Sequence, residues 1–217
     1  MKKRGKAEEK DIKVKDLKSF WKWLWNSDSI WSWVVFFILA FILIRVVFFS
    51  LASFATGSTL PFVVIESCSM NHLGFFGDFE NWWQDYGSWY EERNITKEQF
   101  REFKYNWGMK MGDIIVVSRR SEIKLGDVII FQTNKEAVSN RPIIHRAISL
   151  SPLATKGDYN SKQLTLTNNA YRIDETSINQ GQVIGKAVFK IPRLGWAKLI
   201  FVKIYEMFAG VPQSPWC

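Results

Sequence analysis

Cysteine and histidine are scarce in this chain of 217 residues: it holds Cys68 and Cys217, His72 and His145, and no others. Two cysteines cannot build a disulfide framework or a four-ligand zinc site. Any histidine chemistry must use one or both of two imidazoles, and neither a cofactor nor a metal is expected. The length leaves room for one domain of ordinary size plus a tail or an anchor. Apolar residues make up 47% and charged residues 23%, which excludes a disordered or fibrous chain. Aromatics, in contrast, are abundant. Eleven Trp and seventeen Phe, most of them in the first half, point to a membrane interface at least as readily as to a core.

The net charge of +8 is uneven: residues 1–30 carry nine Lys or Arg against five Asp or Glu. A basic start could bind nucleic acid, but the next segment gives it another meaning. From Trp31 to Ala55 the chain is strongly apolar and carries one charge, Arg45. That run is long enough to cross the roughly 30 Å hydrocarbon core as a helix. The leader is too long and the run too apolar for a cleaved signal sequence, and no A-x-A site follows. Residues 31–55 are therefore read as a retained transmembrane helix. The basic leader, 1–30, stays cytoplasmic, which sends the rest of the chain to the outer face of the cell membrane. Within the leader, Leu17, Phe20, Trp21 and Leu24 share one face of an interfacial amphipathic helix. The basic excess is explained by topology, and nucleic acid is not expected as a partner.

Residues 56–193 read as a mainly β domain. Short runs rich in Val and Ile occur at 61–67, 113–118, 127–132, 142–150, 163–167 and 182–191, bounded by Gly, Asp, Asn or Pro. Two of them open with Gly-Asp, at 112–113 and 126–127, where a turn hands over to a strand. Between the first two runs lies an aromatic, charged insertion, 71–110, in which Thr96 begins a helix through about Phe103 with a capping box. Asn94-Ile95-Thr96 is a glycosylation sequon compatible with the outer face. The last segment, 194–217, reads as an amphipathic, membrane-associated helix rather than a second span.

The chemistry starts at Glu66-Ser67-Cys68-Ser69-Met70. On an extended backbone Ser67 and Ser69 point to one side, so one hydroxyl could attack while the other donates to a developing oxyanion. Cys68 then faces away as a small apolar residue. A base is still needed, and the candidates are a lysine or the mid-strand His145. Lys124 and Lys156 sit by Gly-Asp turns and are expected to be solvated.

Five short motifs in order then carry a resemblance. Ser67–Met70 after a membrane anchor, Gly112–Ser118, Gly126–Phe131, Pro142–Arg146 and Thr155–Asn160 together resemble type I signal peptidase. Val183–Ala187 and Ile191–Trp196 look like that family's closing segment. The likeness runs from about residue 30 to 200, interrupted by the insertion. Bacterial members use a serine–lysine dyad, whereas archaeal and endoplasmic-reticulum members have histidine in place of the lysine. His145 stands at that place, so the sequence resembles the latter branch. The resemblance implies Ser69 as nucleophile, His145 as general base and Ser67 as the hydroxyl completing the oxyanion hole. His72 is read as part of the insertion's first turn.

The acid that should orient the imidazole is where the sequence departs from the family. Asp158 matches the aspartate of the T-K-G-D-x-N motif. Relatives carry another aspartate some six residues later, where this chain has Gln163-Leu164 and where the next acids are Asp174 and Glu175. Asp158 is the first choice and Asp174 the second. The implied function is a membrane-anchored serine endopeptidase cleaving N-terminal signal peptides from exported preproteins. Its implied partners are preproteins, the lipid bilayer and the protein translocation machinery. The alternative is a non-catalytic, membrane-anchored β-domain that binds exported proteins or a translocation complex.

Overall fold

The computed structural model describes residues 16–72, 78–138 and 140–209. Residues 1–15 of the leader, 73–77 of the insertion and 210–217, Cys217 among them, lie outside the described residues. Two compact units, residues 1–52 and 53–217, make up the chain.

In the first unit, residues 16–26 are helical (α1). Leu17, Phe20 and Trp21 are exposed on it, and Leu24 is buried. Serines turn the chain into the next helix. The Ser32 hydroxyl donates to the carbonyls of Ser27 and Ser29 (2.8 and 2.7 Å), and the Ser29 hydroxyl accepts from the Trp31 N–H, the usual chemistry of a helix start. From there α2 (Ile30–Ile42), a π-helical stretch (Leu43–Phe48) and α3 (Phe49–Thr56) follow without a break. Together they form one helix of 27 residues, long and apolar enough to cross a membrane. At 1.5 Å per residue it measures about 40 Å, more than the hydrocarbon core requires. The guanidinium of Arg45, inside the π-helical stretch, lies 5.8 Å from the Phe49 ring centroid.

The second unit is built on a six-stranded antiparallel sheet. Its strands are β1 (Phe62–Val64), β2 (Ile114–Ser118), β3 (Val128–Phe131), β4 (Ile143–Leu150), β5 (Leu153–Lys156) and β6 (Val183–Ile191), in the order β1-β2-β6-β3-β4-β5. All four residues of β3 are buried, because both faces of the sheet are covered there. Val128 and Ile130 pack with Ile65, Met70, Met109, Ile115, Val117 and Ala187. On the other face Ile129 and Phe131 pack with Ala147, Ile178 and Val183. The Gly-Asp pairs form two near-identical turns. Asp113 Oδ2 accepts the Lys110 N–H at 3.0 Å and Asp127 Oδ2 the Lys124 N–H at 2.8 Å. Gly112 and Gly126 take φ of +86° and +84°, a backbone region where a side chain is strained.

The insertion forms α4 (Phe79–Glu91) and α5 (Lys97–Glu102). The Thr96 hydroxyl accepts the Gln99 N–H at 3.2 Å. Phe79, Trp82, Trp83, Tyr90, Ile95 and Phe100 pack into a third, largely aromatic core. At the C-terminal end α6 (Trp196–Ala209) buries Leu199 and exposes Ile200, Phe201, Ile204, Tyr205 and Phe208.

Two expectations about the strands need correction. The first run, 61–67, ends as a strand at Val64, so Ser67–Met70 lie in a bend and turn instead of an extended segment. Residues 163–167 form no strand. Their donors are taken by side chains: Leu164 N–H by Glu175 Oε2 at 2.9 Å and Thr165 N–H by Asn168 Oδ1 at 2.8 Å. In its place the short Leu153–Lys156 pairs with β4. The mainly β expectation for 56–193 is met by the six-stranded sheet, and the insertion is partly helical as expected.

Candidate active site

His145 and Arg146 are neighbours on β4 and point to opposite faces, as strand residues must. Each meets a different carboxylate. His145 Nδ1 contacts Glu175 Oε1, not Asp158 or Asp174. Glu175 is fully buried and its oxygens are satisfied. Oε1 also accepts from the Thr155 hydroxyl at 3.0 Å, and Oε2 from the Leu164 N–H at 2.9 Å. A carboxylate on Nδ1 holds the proton on that nitrogen and leaves Nε2 as the acceptor.

The loop that delivers Glu175 is stapled to itself. Glu175 N–H donates to the Leu164 carbonyl at 3.0 Å, and Thr155 N–H to the Glu175 carbonyl at 3.0 Å. The Asn169 carboxamide bridges the carbonyls of Thr165 and Ile173 and accepts the Ile173 N–H (2.7, 2.9 and 3.0 Å). Asp174, the second choice for the acid, faces away. Its Oδ1 accepts from the N–H and the hydroxyl of Thr176 at 3.0 and 2.7 Å. Sequence reasoning passed over Glu175 although a signal was present. Ile173 is buried, and in extended chain residues two apart share a side, which puts Glu175 inward and Asp174 outward.

Asp158, the first choice for the acid, has another role. It is fully buried and is bonded to His72, Tyr90 and Arg146. His72 Nε2 lies 2.9 Å from Oδ2, and the Tyr90 hydroxyl donates to Oδ1 at 3.0 Å. Arg146 donates through Nε at 2.9 Å to Oδ1 and through Nη2 at 2.6 Å to Oδ2. The rest of the guanidinium serves the carbonyls of Lys104, Gly126 and Tyr105 and lies over the Phe100 ring. The His72 ring stacks on Trp82, centroids 3.8 Å apart, and Trp82 Nε1 donates to the Asp158 carbonyl at 3.1 Å. Burial by itself would push the Asp158 carboxyl up, but Arg146 and His72 overcome it and hold the carboxyl well below the usual carboxylate range. Burial lowers His72 below its ordinary value against the pull of Asp158. Asp158 thus ties the aromatic core of the insertion to β4.

Residues 157–159 carry this anchor to the serines. Tyr159 N–H donates to the Ser69 carbonyl at 2.8 Å, and the Met70 carbonyl is held by Met109 N–H at 2.7 Å. Ser67 Oγ and Ser69 Oγ are 3.2 Å apart. A turn therefore brings the two hydroxyls together, as strand alternation was expected to do. Gly157 supplies the space between Ser69 and His145. A Cβ built on it would lie 2.7 Å from His145 Nε2 and 2.9 Å from the Ser69 carbonyl oxygen. The acceptor nitrogen and the Ser69 backbone thus flank one methyl-sized gap. A hydroxyl pair, an imidazole whose free nitrogen faces the Ser69 backbone and a carboxylate behind it have the chemistry of nucleophilic acyl transfer.

Two further placements differ from expectation. Cys68 is disulfide-bonded and is no simple apolar filler. The chain's other cysteine is Cys217. Lys156 is fully buried instead of solvated, and burial lowers it to about 8. It is paired with Arg146 across β4 and β5 and shares that residue's face. Its Nζ donates to the Gly157 carbonyl at 3.0 Å and lies 4.8–5.9 Å from the ring centroids of Tyr86, Trp89 and Tyr90. Lys124, in contrast, is exposed, as expected. Among the described residues no His, Cys, Asp and Glu cluster is arranged to hold a metal ion. No protein-family model matches the chain, and no curated protein matches it.

Proposed function

We propose that this chain is a membrane-anchored serine endopeptidase with a signal-peptidase-like fold, which removes N-terminal signal peptides from exported preproteins. The observations that carry the reading are the Glu175 contact behind His145, the Ser67–Ser69 hydroxyl pair, and the gap at Gly157 that His145 Nε2 and the Ser69 carbonyl share. Ser69 Oγ attacks the scissile carbonyl carbon and passes its proton to His145 Nε2, while Glu175 stabilises the imidazolium. The oxyanion is met by the Ser67 hydroxyl and the Ser69 backbone N–H. Collapse expels the new amine, which takes the proton from His145. Water activated by the same nitrogen then hydrolyses the acyl-enzyme. Lys156 serves no step, because it shares the Arg146 face of β4 rather than that of His145.

The helix Ile30–Thr56 anchors the enzyme, and the basic leader keeps the N-terminus cytoplasmic. The catalytic unit then works at the outer face, where a disulfide at Cys68 would persist. Its partners are preproteins, the bilayer and the translocation machinery.

The full-length chain in lipid vesicles should cleave a preprotein at one position, read as the new N-terminus by mass spectrometry. Ser69→Ala should slow that cleavage by on the order of 10⁴–10⁶. Undiminished cleavage by Ser69→Ala would remove Ser69 as nucleophile, and tight preprotein binding without cleavage by the unaltered chain would favour the binding module. A second test concerns space. Gly157→Ala should lower kcat/KM by roughly 100-fold or more, because the methyl displaces the nitrogen or the serine backbone. Gly181→Ala, where a Cβ meets nothing within 4 Å, should leave kcat/KM unchanged. Equal activity of the two variants would show that the gap at Gly157 is not used.

A further inference from the structure

The geometry points to Asn94 as a covalent N-glycan acceptor on the insertion, a modification site that rests on the outer-face reading. Asn94-Ile95-Thr96 is the chain's sole Asn-x-Ser/Thr triplet. It occupies the turn between α4 and α5, and the turn presents it well. Ile95 is buried among the aromatics of the third core, and its N–H is held by the Tyr90 carbonyl at 3.1 Å. With its middle residue pinned inward, the triplet leaves both Asn94 and Thr96 exposed. Asn94 takes φ of +60°, a conformation asparagine tolerates better than most residues. Its carboxamide makes no hydrogen bond to the described residues. Among the described residues no hydrogen bond links Asn94 to Ser67, Ser69, His145 or Glu175, and a large polar group there adds bulk to an exposed turn. In the reaction the Asn94 Nδ2 forms a bond to the anomeric carbon of a lipid-phosphate-linked oligosaccharide. The bond from that carbon to phosphate breaks, the lipid phosphate departs with the electron pair, and Nδ2 loses one proton. A membrane glycosyltransferase supplies the catalysis.

The test translates the full chain with glycosylation-competent microsomes and compares gel mobility before and after endoglycosidase. The unaltered chain should carry one enzyme-sensitive glycan, and Asn94→Asp, which retains the backbone preference, should carry none. Gly181→Thr creates a second Asn-x-Thr triplet, beginning at Asn179, and its side chain enters a position where a Cβ meets nothing within 4 Å. That variant should carry two glycans. One glycan on Gly181→Thr and none on the unaltered chain would overturn the Asn94 assignment while leaving the outer-face topology standing. No glycan on any of them would remove the topology, and the assignment with it.

Discussion

Replacing Glu175 with Gln should lower kcat by roughly 10³–10⁴-fold while KM and the melting temperature change little, by the logic of a base held in the wrong tautomer. Gln has the shape of Glu, and its one carbonyl oxygen can still accept from the Leu164 N–H. That puts its amide nitrogen beside His145 and the Thr155 hydroxyl, where the hydroxyl turns to accept instead of donate. It cannot offer His145 Nδ1 a negative charge, and its amide end can donate toward the ring and move the proton to Nε2. The base then faces Ser69 with a hydrogen instead of a lone pair. Asp174→Asn, one residue away and turned to Thr176, should retain kcat within a few fold. The measurement is steady-state cleavage of a preprotein by the two variants side by side. Loss in Asp174→Asn with none in Glu175→Gln would mean that the carboxylate behind His145 is misassigned.

Asp158→Ala should destabilise the second unit by about 3–5 kcal/mol, because it strands the buried Arg146 guanidinium without its counter-charge. Asp158→Asn should lose much of the same stability, since an amide cannot balance Arg146. The pH dependence follows from the depressed carboxyl of Asp158. A group held below its unfolded value contributes stability that is present above about pH 4 and lost as pH falls further. His72, lowered by burial, acts in the same direction, since acid must place a proton on an imidazole the fold prefers neutral. Chemical denaturation at pH 7 and at pH 3 measures both effects. The unaltered chain should lose more stability between these pH values than Asp158→Asn does. Equal losses, or an Asp158→Ala variant as stable as the unaltered chain, would show that the cluster is not a structural anchor. Because Tyr159 holds the Ser69 carbonyl, activity should fall along with folding in these variants.

The two carboxylates mark how far local pattern reaches. Asp158 follows a short motif, and motif position alone makes it the expected partner of the imidazole. In the folded chain Arg146, one residue beyond His145, takes Asp158 on the opposite face of β4. Glu175 takes the place beside the imidazole by way of a long loop whose closure depends on Asn169, Leu164 and Thr155. Lys156 departs from expectation for a related reason. A lysine beside a Gly-Asp pair is ordinarily solvated, but the rings of Tyr86, Trp89 and Tyr90 arrive from an insertion far away in sequence and cover it.

By itself the sequence determined what depends on neighbours along the chain. The apolar run predicts the helix Ile30–Thr56, because spanning length and composition are local. The Gly-Asp pairs predict their turns, because each aspartate caps a backbone N–H three residues back. Thr96 starts α5 by capping a backbone N–H three residues ahead, and the Val- and Ile-rich runs predict most strands, though not Leu153–Lys156. Only the tertiary structure decided which carboxylate meets which cation or imidazole, that 163–167 gives its backbone to side chains, and that Gly157 must lack a side chain. Those outcomes are settled by surfaces brought together from distant segments. Burial then leaves each charge one partner that compensates the loss of water, and local pattern carries no record of which partner that is.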